Sequence, residues 1–402
     1  MKENIKAYKD LFILSIFSIL IGLIVGVLDT IFGKTLLAIT KIRENNFLLL
    51  IPFLSIIGVI IVYLYKKYGG KSSKGMGLIF EVYQNKEEKI PLRLIPFVIL
   101  STWATHLFGG SAGREGVAVL IGGTFSNFIS RKIKIKDVKN ILLISGMAAG
   151  FSGLFQTPIA AILFALEVLV TGKFFYKALV PAIFSSFIAS YTSNLLGLEK
   201  FTFNLSLSLN INFNFLTILK IIILGIIFGL VGCGFSICLK FLKKFFSEKF
   251  KNPIKRIFLV SIFLTIIFIL LHNGRYSGLG TNLINSSFYN ETIYYYDWIL
   301  KFILTIITLS IGFQGGEVTP LFSIGASLGV TLSYIFNLPI EFVAAIGYLC
   351  VFGSATNVFF APIFIGCEVF GYNYMPYFFI AMAFSYTFNF NKSIYSLQQK
   401  GN

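Results

Sequence analysis

The stretch Gly146–Val168, GMAAGFSGLFQTPIAAILFALEV, occurs a second time in altered form as Gly347–Val369, GYLCVFGSATNVFFAPIFIGCEV. The two copies lie 201 residues apart and align glycine with glycine at their start and glutamate with glutamate near their end. Each copy is almost wholly apolar and is broken near its middle by Gln-Thr-Pro or by Asn-Val. An internal duplication is therefore expected, with residues 1–200 as the first repeat and residues 201–402 as the second, within one transmembrane domain.

A second pair of segments repeats at nearly the same distance. GGSAGREG precedes one apolar run and GFQGGEVTP precedes another, and their glutamates, Glu115 and Glu317, lie 202 residues apart. An acid inside an apolar, glycine-broken segment is costly to place in a membrane protein. Both glutamates are therefore predicted to be functional.

The composition of the chain excludes a soluble enzyme. Hydrophobic residues make up 56% of the chain and charged residues 13%, and the mean hydropathy is +0.82. These values are typical of an all-α polytopic membrane protein. Segments 117–130 and 318–336 are short or interrupted by Gly, Pro and Ser, and broken helices at membrane depth survive only where they line a wet cavity or are buried in protein. If each half crosses the membrane an odd number of times, the two repeats are inverted and their broken helices meet at the bilayer midplane.

The formal net charge of +17 does not indicate nucleic acid binding. The basic residues fall in short connections, at residues 2–9, 131–139 and 240–256, and the positive-inside rule assigns such connections to the cytoplasm. The chain's main partner is then the lipid bilayer, and the absence of organelle signals suits a multi-pass protein of the bacterial inner membrane with cytoplasmic termini. Four cysteines without metal-ligand spacing and two histidines predict neither a metal nor a cofactor.

Glycine-rich elements precede apolar helical runs at three places. Besides the two that contain glutamate, KSSKGMGLIFEV at residues 71–82 places Met76 and Gly77 ahead of a run. The free N–H groups and the positive dipole end of each helix then point at the break, a geometry that binds anions. Three helix starts are predicted to converge on one small anion without a full positive charge in the membrane.

These motifs resemble the CLC family of chloride channels and proton-coupled anion exchangers. GREG at 113–116 is similar to the family's gating-glutamate motif, the first copy of the opening stretch is similar to its most recognisable helix pair, and SIYSLQ is similar to the segment that supplies a central tyrosine, here Tyr395. The resemblance implies a CLC-type fold of two inverted repeats and a homodimer with one pathway per subunit. The nucleotide-binding modules that some relatives append on the cytoplasmic side are not expected.

The departures from the usual family pattern favour its fluoride-exporting branch, which exchanges fluoride for protons. Met76 stands where most members have a serine, Val117 follows GREG in place of proline, and Glu317 is inserted beside Thr319. Val168 occupies the place of an inward-facing acid in many exchangers, so the proton needs another route. We therefore expect a fluoride/proton antiporter that transports fluoride out of the cytoplasm.

The resemblance also implies roles for individual residues. Glu115 is expected to gate the path and carry the proton, and Glu317 to relay a proton unless it only caps its own helix. Thr319 either donates its hydroxyl to the ion or bonds back to the backbone. The expected anion-binding residues are Met76, Gly77, Phe80, Tyr83, Gly113, Arg114, Gly116, Val117, Val318, Thr319 and Tyr395.

Structural interpretations stand beside several of these assignments. Met76, Phe80 and Tyr83 are equally suited to packing, and Tyr395 to anchoring at the membrane interface. Glu167 and Glu368, at equivalent places in the two copies, are expected to be structural and to face polar loops or a subunit boundary. The amides of Gln156 and Asn357 are expected to satisfy backbone groups freed at the helix breaks.

Two alternative functions remain at this point. A chloride/proton exchanger or passive chloride channel needs the same fold, and Met76 and Glu317 are the residues that disfavour it. A membrane-embedded hydrolase with Glu115 or Glu317 as general base belongs to another class, but no nearby histidine, metal triad or Ser/His pair supports it. We therefore do not expect an enzyme.

Overall fold

The structure, a computed structural model, describes residues 2–205, 211, 214–289 and 291–401. Helices form most of this part of the chain, and their order is the same in both halves. The described residues of the first half form α1 Lys2–Asn45, α2 Phe47–Leu50, α3 Leu54–Leu64, α4 Met76–Tyr83, α5 Leu94–Leu107, α6 Glu115–Ser130, α7 Val138–Phe155, α8 Pro158–Glu167 and α9 Leu179–Leu195. Those of the second half form α10 Phe215–Lys249, α11 Pro253–Leu270, α12 Thr281–Phe288, α13 Asp297–Ile311, α14 Val318–Phe336, α15 Ile340–Thr356, α16 Phe360–Phe370 and α17 Met375–Thr387.

The two halves repeat one arrangement of helices, as the duplication predicts. Helices α6 to α9 correspond to α14 to α17, and the short α4 and following α5 correspond to α12 and α13. In both halves the first long helix, α1 or α10, packs on the helix that opens the duplicated stretch, α7 or α15. The halves meet where the backbones of Gly113 and Gly316 pair in antiparallel fashion. This is the all-α fold of two inverted repeats that the sequence predicts.

The described helices are suited to a bilayer. Six helical stretches are long and apolar enough to cross a membrane by length and composition: Ile5–Asn45, Phe47–Tyr83, Val138–Phe155, Phe215–Lys249, Pro253–Leu270 and Val318–Phe336. The stretches of α7 and α14 are mostly buried, whereas few residues of α11 are fully buried. The buried stretches form the centre of the molecule and the exposed ones its lipid-facing surface.

Glycines at equivalent positions set the closest helix crossings. A Cβ atom built on Gly146 in α7 would lie 2.3 Å from the carbonyl oxygen of Gly122 in α6, and one on Gly347 in α15 would lie 2.1 Å from that of Gly325 in α14. Such distances leave no room for a methyl group. The duplicated glycines of the opening stretch are therefore retained because two backbones touch there.

We expect Gly347→Ala to destabilise the protein, because the added methyl group meets backbone, which cannot move as a side chain can. Overpacking of this kind typically costs about 1–3 kcal/mol. The melting temperature in detergent, followed by the loss of a monodisperse size-exclusion peak, measures the effect. Gly234→Ala in α10 is the matched control, since a Cβ there meets nothing within 4 Å. Equal melting temperatures for the two variants would contradict the crossing argument.

Helices α6 and α14 correct the expectation of broken segments at 117–130 and 318–336. Helix α6 is continuous from Glu115 to Ser130, and helix α14 is continuous from Val318 to Phe336. Pro320 lies in its first turn, where a backbone N–H has no partner within the helix, so the proline interrupts nothing. The break lies before the helix, at Gly312 and Gly315, whose φ angles are +122° and +156°.

Glu167 and Glu368 cap each other's helices across the two repeats. The Glu167 carboxylate accepts hydrogen bonds from the N–H groups of Phe359, Phe360 and Ala361 at the start of α16. Glu368 accepts from Ile159 and Ala160 at the start of α8. These contacts fit the expected structural role, and the expected position at polar loops or a subunit boundary stays a prediction. They satisfy free N–H groups at a helix start and oppose its positive dipole end.

The two amides at the helix breaks behave differently from each other. Gln156 ends α7 in the left-handed conformation and donates to the carbonyl of Leu198, which is the expected backbone role. Asn357 ends α15 in the same conformation, but its side chain donates to Thr171, Asn391 and Gln398 side chains.

After α17 the chain returns along the break of the second copy. The N–H of Ile394 donates to the carbonyl of Ala355. Strand β2, Gln399–Lys400, then pairs in parallel with β1, Val170–Thr171. These contacts hold the segment that contains Tyr395 against both halves.

Candidate anion and proton site

Glu115 is the first residue of α6 and is completely buried. Its Oε2 atom accepts hydrogen bonds from the backbone N–H of Thr319 at 3.1 Å and from the Thr319 hydroxyl at 2.5 Å. It therefore sits on the N-terminus of α14, where free N–H groups and the helix dipole favour an anion. A carboxylate from one repeat occupies an anion position built by the other.

The second oxygen of Glu115 is poorly satisfied. Among the described residues Oε1 has no hydrogen-bond partner, and the nearest cation, the Nε atom of Arg114, lies 3.7 Å away. Arg114 is itself buried, and its Nε and Nη1 atoms have no hydrogen-bond partner in the described part of the chain. The free oxygen is a place where a proton can bind, and loss of the negative charge weakens the hydrogen bonds that hold the other oxygen.

The Thr319 hydroxyl makes a contact that the sequence did not suggest. It donates to Glu115 and does not bond back to its own backbone, and its donation to the ion stays a prediction. A short O–H···O⁻ bond to a charged acceptor is among the stronger hydrogen bonds in proteins. The donors that would hold an anion at the start of α14 are those that hold Glu115.

A cavity of about 320 Å³ lies beside this contact, and we call it the central cavity. It brings together the three helix starts predicted from the sequence, those of α4, α6 and α14. The predicted site residues that line it are Met76, Gly77, Phe80, Gly116, Val117, Glu317 and Tyr395. Glu115 lies directly behind Gly116, so the cavity ends next to the buried carboxylate.

Glu317 immediately precedes α14 and lines the central cavity. Its side chain makes no capping hydrogen bond, so the role of capping its own helix is not what the structure shows. Its Oε1 atom lies 3.9 Å from the Nζ atom of Lys243 on α10, and its side chain is 16% exposed. Glu317 is thus the acid that the cavity reaches, whereas Glu115 is sealed.

The start of α4 owes its shape to Gly75. This residue has a φ of +51° and a ψ of −131°, a backbone conformation that only glycine adopts readily. The turn brings Met76 and the backbone of Gly77 to the cavity wall. Met76 is partly buried and packs against the hydrophobic core, so it lines the cavity and packs at the same time.

Phe80 and Tyr395 lie together, and Tyr83 lies apart. The rings of Phe80 and Tyr395 are 5.5 Å apart at an interplanar angle of 35°, and both line the cavity. Tyr83 packs edge-on against Phe175 and is not among the residues of the cavity wall. Of the two aromatics that follow Met76, only Phe80 faces the cavity.

The remaining predicted residues build the wall from behind. Gly113 pairs with Gly316 through two backbone hydrogen bonds of 2.5 and 2.8 Å, and Val318 is buried at the start of α14. Neither lines the cavity. They fix the relative position of the two helix starts.

Lys301 is a structural part of the site that sequence reasoning missed. It lies in α13, is fully buried, and its ammonium group donates to the Ser111 hydroxyl and to the carbonyls of Tyr276 and Gly278, at 2.9, 3.1 and 2.8 Å. Three acceptors satisfy its three N–H donors. The contact ties the loop before α12 to the loop before α6. A lysine inside the apolar run of residues 298–311 was the available signal.

Lys74 lines the central cavity in addition to Lys243, and we call the part of the cavity next to Lys74 its mouth. Lys74 lies 2.6 Å from Glu81 and 3.2 Å from Glu87, and Lys71 lies 2.5 Å from Glu87. Hydrogen bonds from Lys71 and then Lys74 hold the pKa of the Glu87 carboxyl below its ordinary value. The Lys74 charge is thus compensated by acids at the surface.

The described residues contain no cluster of His, Cys, Asp or Glu that could hold a metal ion.

The fold defines a class of protein: a membrane anion transporter of two inverted repeats, in which a buried glutamate from one half lies at a helix start of the other. Residues 57–389 match the voltage gated chloride channel family, and the chain belongs to that family.

Three similar proteins narrow the comparison. A chloride/fluoride channel protein of Pseudomonas syringae pv. tomato is 31% identical over 389 residues, which cover 95% of this chain and 85% of the relative. The crystal structure of a CLC-type fluoride/proton antiporter superposes with a TM-score of 0.96 at 53% identity, covering 98% of this chain and 99% of that one. A slow cyanobacterial Cl⁻/H⁺ antiporter shares the fold, with a TM-score of 0.81 at 19% identity and 94% coverage of both chains.

Proposed function

We propose that this protein is a fluoride/proton antiporter that exports fluoride from the cytoplasm in exchange for protons. The observation that carries the proposal is the Glu115 carboxylate seated on the N–H and hydroxyl of Thr319. The similarity to a fluoride/proton antiporter at 53% identity supports the choice of ion.

Exchange follows from competition for one set of donors. The ionised Glu115 holds the start of α14 and blocks it. Protonation removes the negative charge, weakens the attraction to the helix start, and frees the Thr319 donors for an anion. Fluoride that enters this position prevents Glu115 from returning until the fluoride leaves. One proton and one fluoride are thereby linked to the same group.

The central cavity suits fluoride because it offers donors and an acid rather than space. Fluoride is strongly hydrated, and it leaves water only where N–H and O–H groups or a proton replace the lost hydrogen bonds. The helix-start N–H groups, Thr319 and protonated Glu317 supply them. The positively polarised ring edges of Phe80 and Tyr395 add weaker support.

Glu317 provides the proton route that Val168 does not. Val168 is buried, and its carbonyl is occupied by the Gln398 side chain. Glu317 lines the cavity and immediately precedes α14, the helix whose start the Glu115 carboxylate binds. Protons and fluoride are proposed to share the central cavity and to meet at the start of α14.

The larger assembly is also part of the proposal. We place the chain in the bacterial inner membrane with cytoplasmic termini, as a homodimer with one pathway per subunit, and assign the repeats to residues 1–200 and 201–402. The basic connections of α10 and of residues 131–139 support this orientation. Transport and not catalysis is its activity.

Ion flux from proteoliposomes tests the proposal. Purified protein is reconstituted, and fluoride and chloride efflux are recorded with ion electrodes together with a pH probe inside the vesicles. We expect fluoride efflux that drives protons inward, and little chloride efflux. Equal chloride flux with proton movement would make the protein a chloride/proton exchanger, and fluoride flux without proton movement would make it a channel.

Thr319→Val is expected to slow fluoride transport by roughly 10- to 100-fold. The variant keeps the shape of the side chain but removes the hydroxyl donor, and a hydrogen bond to a charged group contributes about 1.5–3 kcal/mol. Initial fluoride efflux rates measure the change, and Thr319→Ser, which keeps the hydroxyl, is the control. If the valine variant transports fluoride as fast as the serine variant, the hydroxyl does not serve the ion.

A further inference from the structure

A second cavity, separate from the central one, lies between α10, the C-terminal segment and the break of the second copy. Its volume is about 490 Å³. Four lysines line it, Lys240 and Lys244 from α10 and Lys392 and Lys400 from the C-terminal segment, and no acidic residue is among its lining residues. We call it the lysine cavity.

The charges of the lysine cavity are largely uncompensated. In the described part of the chain, Lys240, Lys392 and Lys400 form no salt bridge, and Lys244 has only the exposed Glu248 at 3.7 Å. This differs from the mouth of the central cavity, where acids lie within 3.2 Å of Lys74. Four ammonium groups around one volume favour a ligand that carries several negative charges, which a single small halide does not.

The floor of the lysine cavity is held in place by an amide network. The Asn357 side chain donates to Asn391 at 2.8 Å and to Gln398 at 3.3 Å, and all three line the cavity. The cavity shape therefore does not depend on the lysines. Ser396 also lines the cavity, whereas the hydroxyls of Ser236 and Ser393 donate to the carbonyls of Ala355 and Thr356 and help to fix the floor.

The outer wall of the lysine cavity is both basic and apolar. The side chains that α10 contributes to the cavity wall lie on one face of the helix, at the spacing of i, i+3, i+4 and i+7. They are Ile237, Lys240, Phe241 and Lys244. Ile237 is 48% exposed and Phe241 is 63% exposed. Lysines interleaved with exposed apolar side chains, at the end of a membrane helix, are the pattern that binds anionic lipid headgroups.

We propose that the lysine cavity binds a phosphate-bearing anion. A phospholipid headgroup and a soluble phosphate compound share this chemistry. The exposed Ile237 and Phe241 support the lipid source, because a headgroup brings acyl chains with it. Tyr395 and Ser396 line both the lysine cavity and the central cavity. A ligand bound in the lysine cavity therefore lies against a segment that forms part of the wall of the central cavity.

Lipid retention and a titration with pyrophosphate test the site. The full-length protein is incorporated in nanodiscs of phosphatidylcholine with or without cardiolipin, and bound lipid is counted by native mass spectrometry after exchange. The test variant is Lys240→Gln/Lys392→Gln, and the control is Lys134→Gln/Lys136→Gln, two exposed lysines of another basic connection. Each lysine near an anionic headgroup contributes enough to change affinity about fivefold, so the double variant should bind roughly 25-fold more weakly.

A second arm separates the two sources of phosphate. Inorganic pyrophosphate is titrated onto protein in pure phosphatidylcholine, with thermal stability as the readout. Cardiolipin retained by the wild type and by the control variant, but lost from the Lys240/Lys392 variant, supports a lipid headgroup; pyrophosphate stabilisation with the same dependence on the variants supports a soluble phosphate. Equal binding by the test and control variants in both arms, or no binding by the wild type, would overturn the proposal. These readouts do not depend on fluoride transport, so failure of the proposed function leaves them interpretable.

Discussion

Proteoliposomes that contain Glu115→Gln should release fluoride without moving protons. Glutamine has the shape of a protonated glutamate and can still accept a hydrogen bond from Thr319, but it neither takes up nor releases a proton. Acid–base groups placed at the point of proton transfer typically contribute about 100-fold or more. The rate of proton uptake recorded by the pH probe should therefore fall to that of protein-free vesicles. An imposed pH gradient should no longer drive fluoride against its own gradient.

The matched control for this variant is Glu88→Gln. Glu88 is exposed in the loop between α4 and α5, and the same chemical change there should leave the ratio of protons to fluoride as in the wild type. Proton movement that persists in Glu115→Gln at the wild-type ratio would remove Glu115 from the proton path. The competition at the start of α14 would then need another interpretation.

Glu317→Gln should reduce fluoride transport by an order of magnitude or more. The carboxyl group is the acid that the central cavity reaches, 3.9 Å from Lys243. Glutamine removes both the proton and the negative charge opposite that lysine. Loss of the O–H donor that protonated Glu317 offers to fluoride removes a hydrogen bond to a charged group, which costs about 1.5–3 kcal/mol and corresponds to roughly 10- to 100-fold in rate. Initial fluoride efflux at saturating fluoride, with proton uptake recorded at the same time, measures the loss.

Two comparisons make the Glu317 result specific. Glu341→Gln alters an acid at the start of α15 that does not line the central cavity, and its fluoride flux should match the wild type. Lys243→Gln removes the cation alone and tests whether the pair or the acid matters. Unchanged fluoride and proton fluxes in Glu317→Gln would restrict this residue to a structural role.

The repeat and the acids could be predicted because they are written locally in the sequence. Glycine-broken apolar segments with one glutamate each are rare enough in a membrane chain to mark both Glu115 and Glu317. The three helix starts could be predicted for the same reason, since each is a short glycine-rich element ahead of an apolar run. The cavity they line is the sum of three local signals.

Other features depend on contacts between distant residues and could not be predicted. Thr319 and Glu115 are 204 residues apart in the chain, so the sequence offered Thr319 two partners and the structure has a third. Pro320 looked like an interruption because its place in the first turn depends on where the helix begins. Tyr83 and Phe80 look alike in sequence, and only the packing of Phe175 against Tyr83 separates them.

The reciprocal caps made by Glu167 and Glu368 have a consequence for biosynthesis. The start of α8 is completed by a residue that lies 208 positions later than Ala160. At typical synthesis rates, that residue emerges roughly 10–40 s after the helix it caps. Until then the N–H groups at the start of α8 have no cap, and the Glu167 carboxylate has no helix start to bind, because α16 has not yet been made. The caps that complete both helix starts therefore form only after the second half has been made.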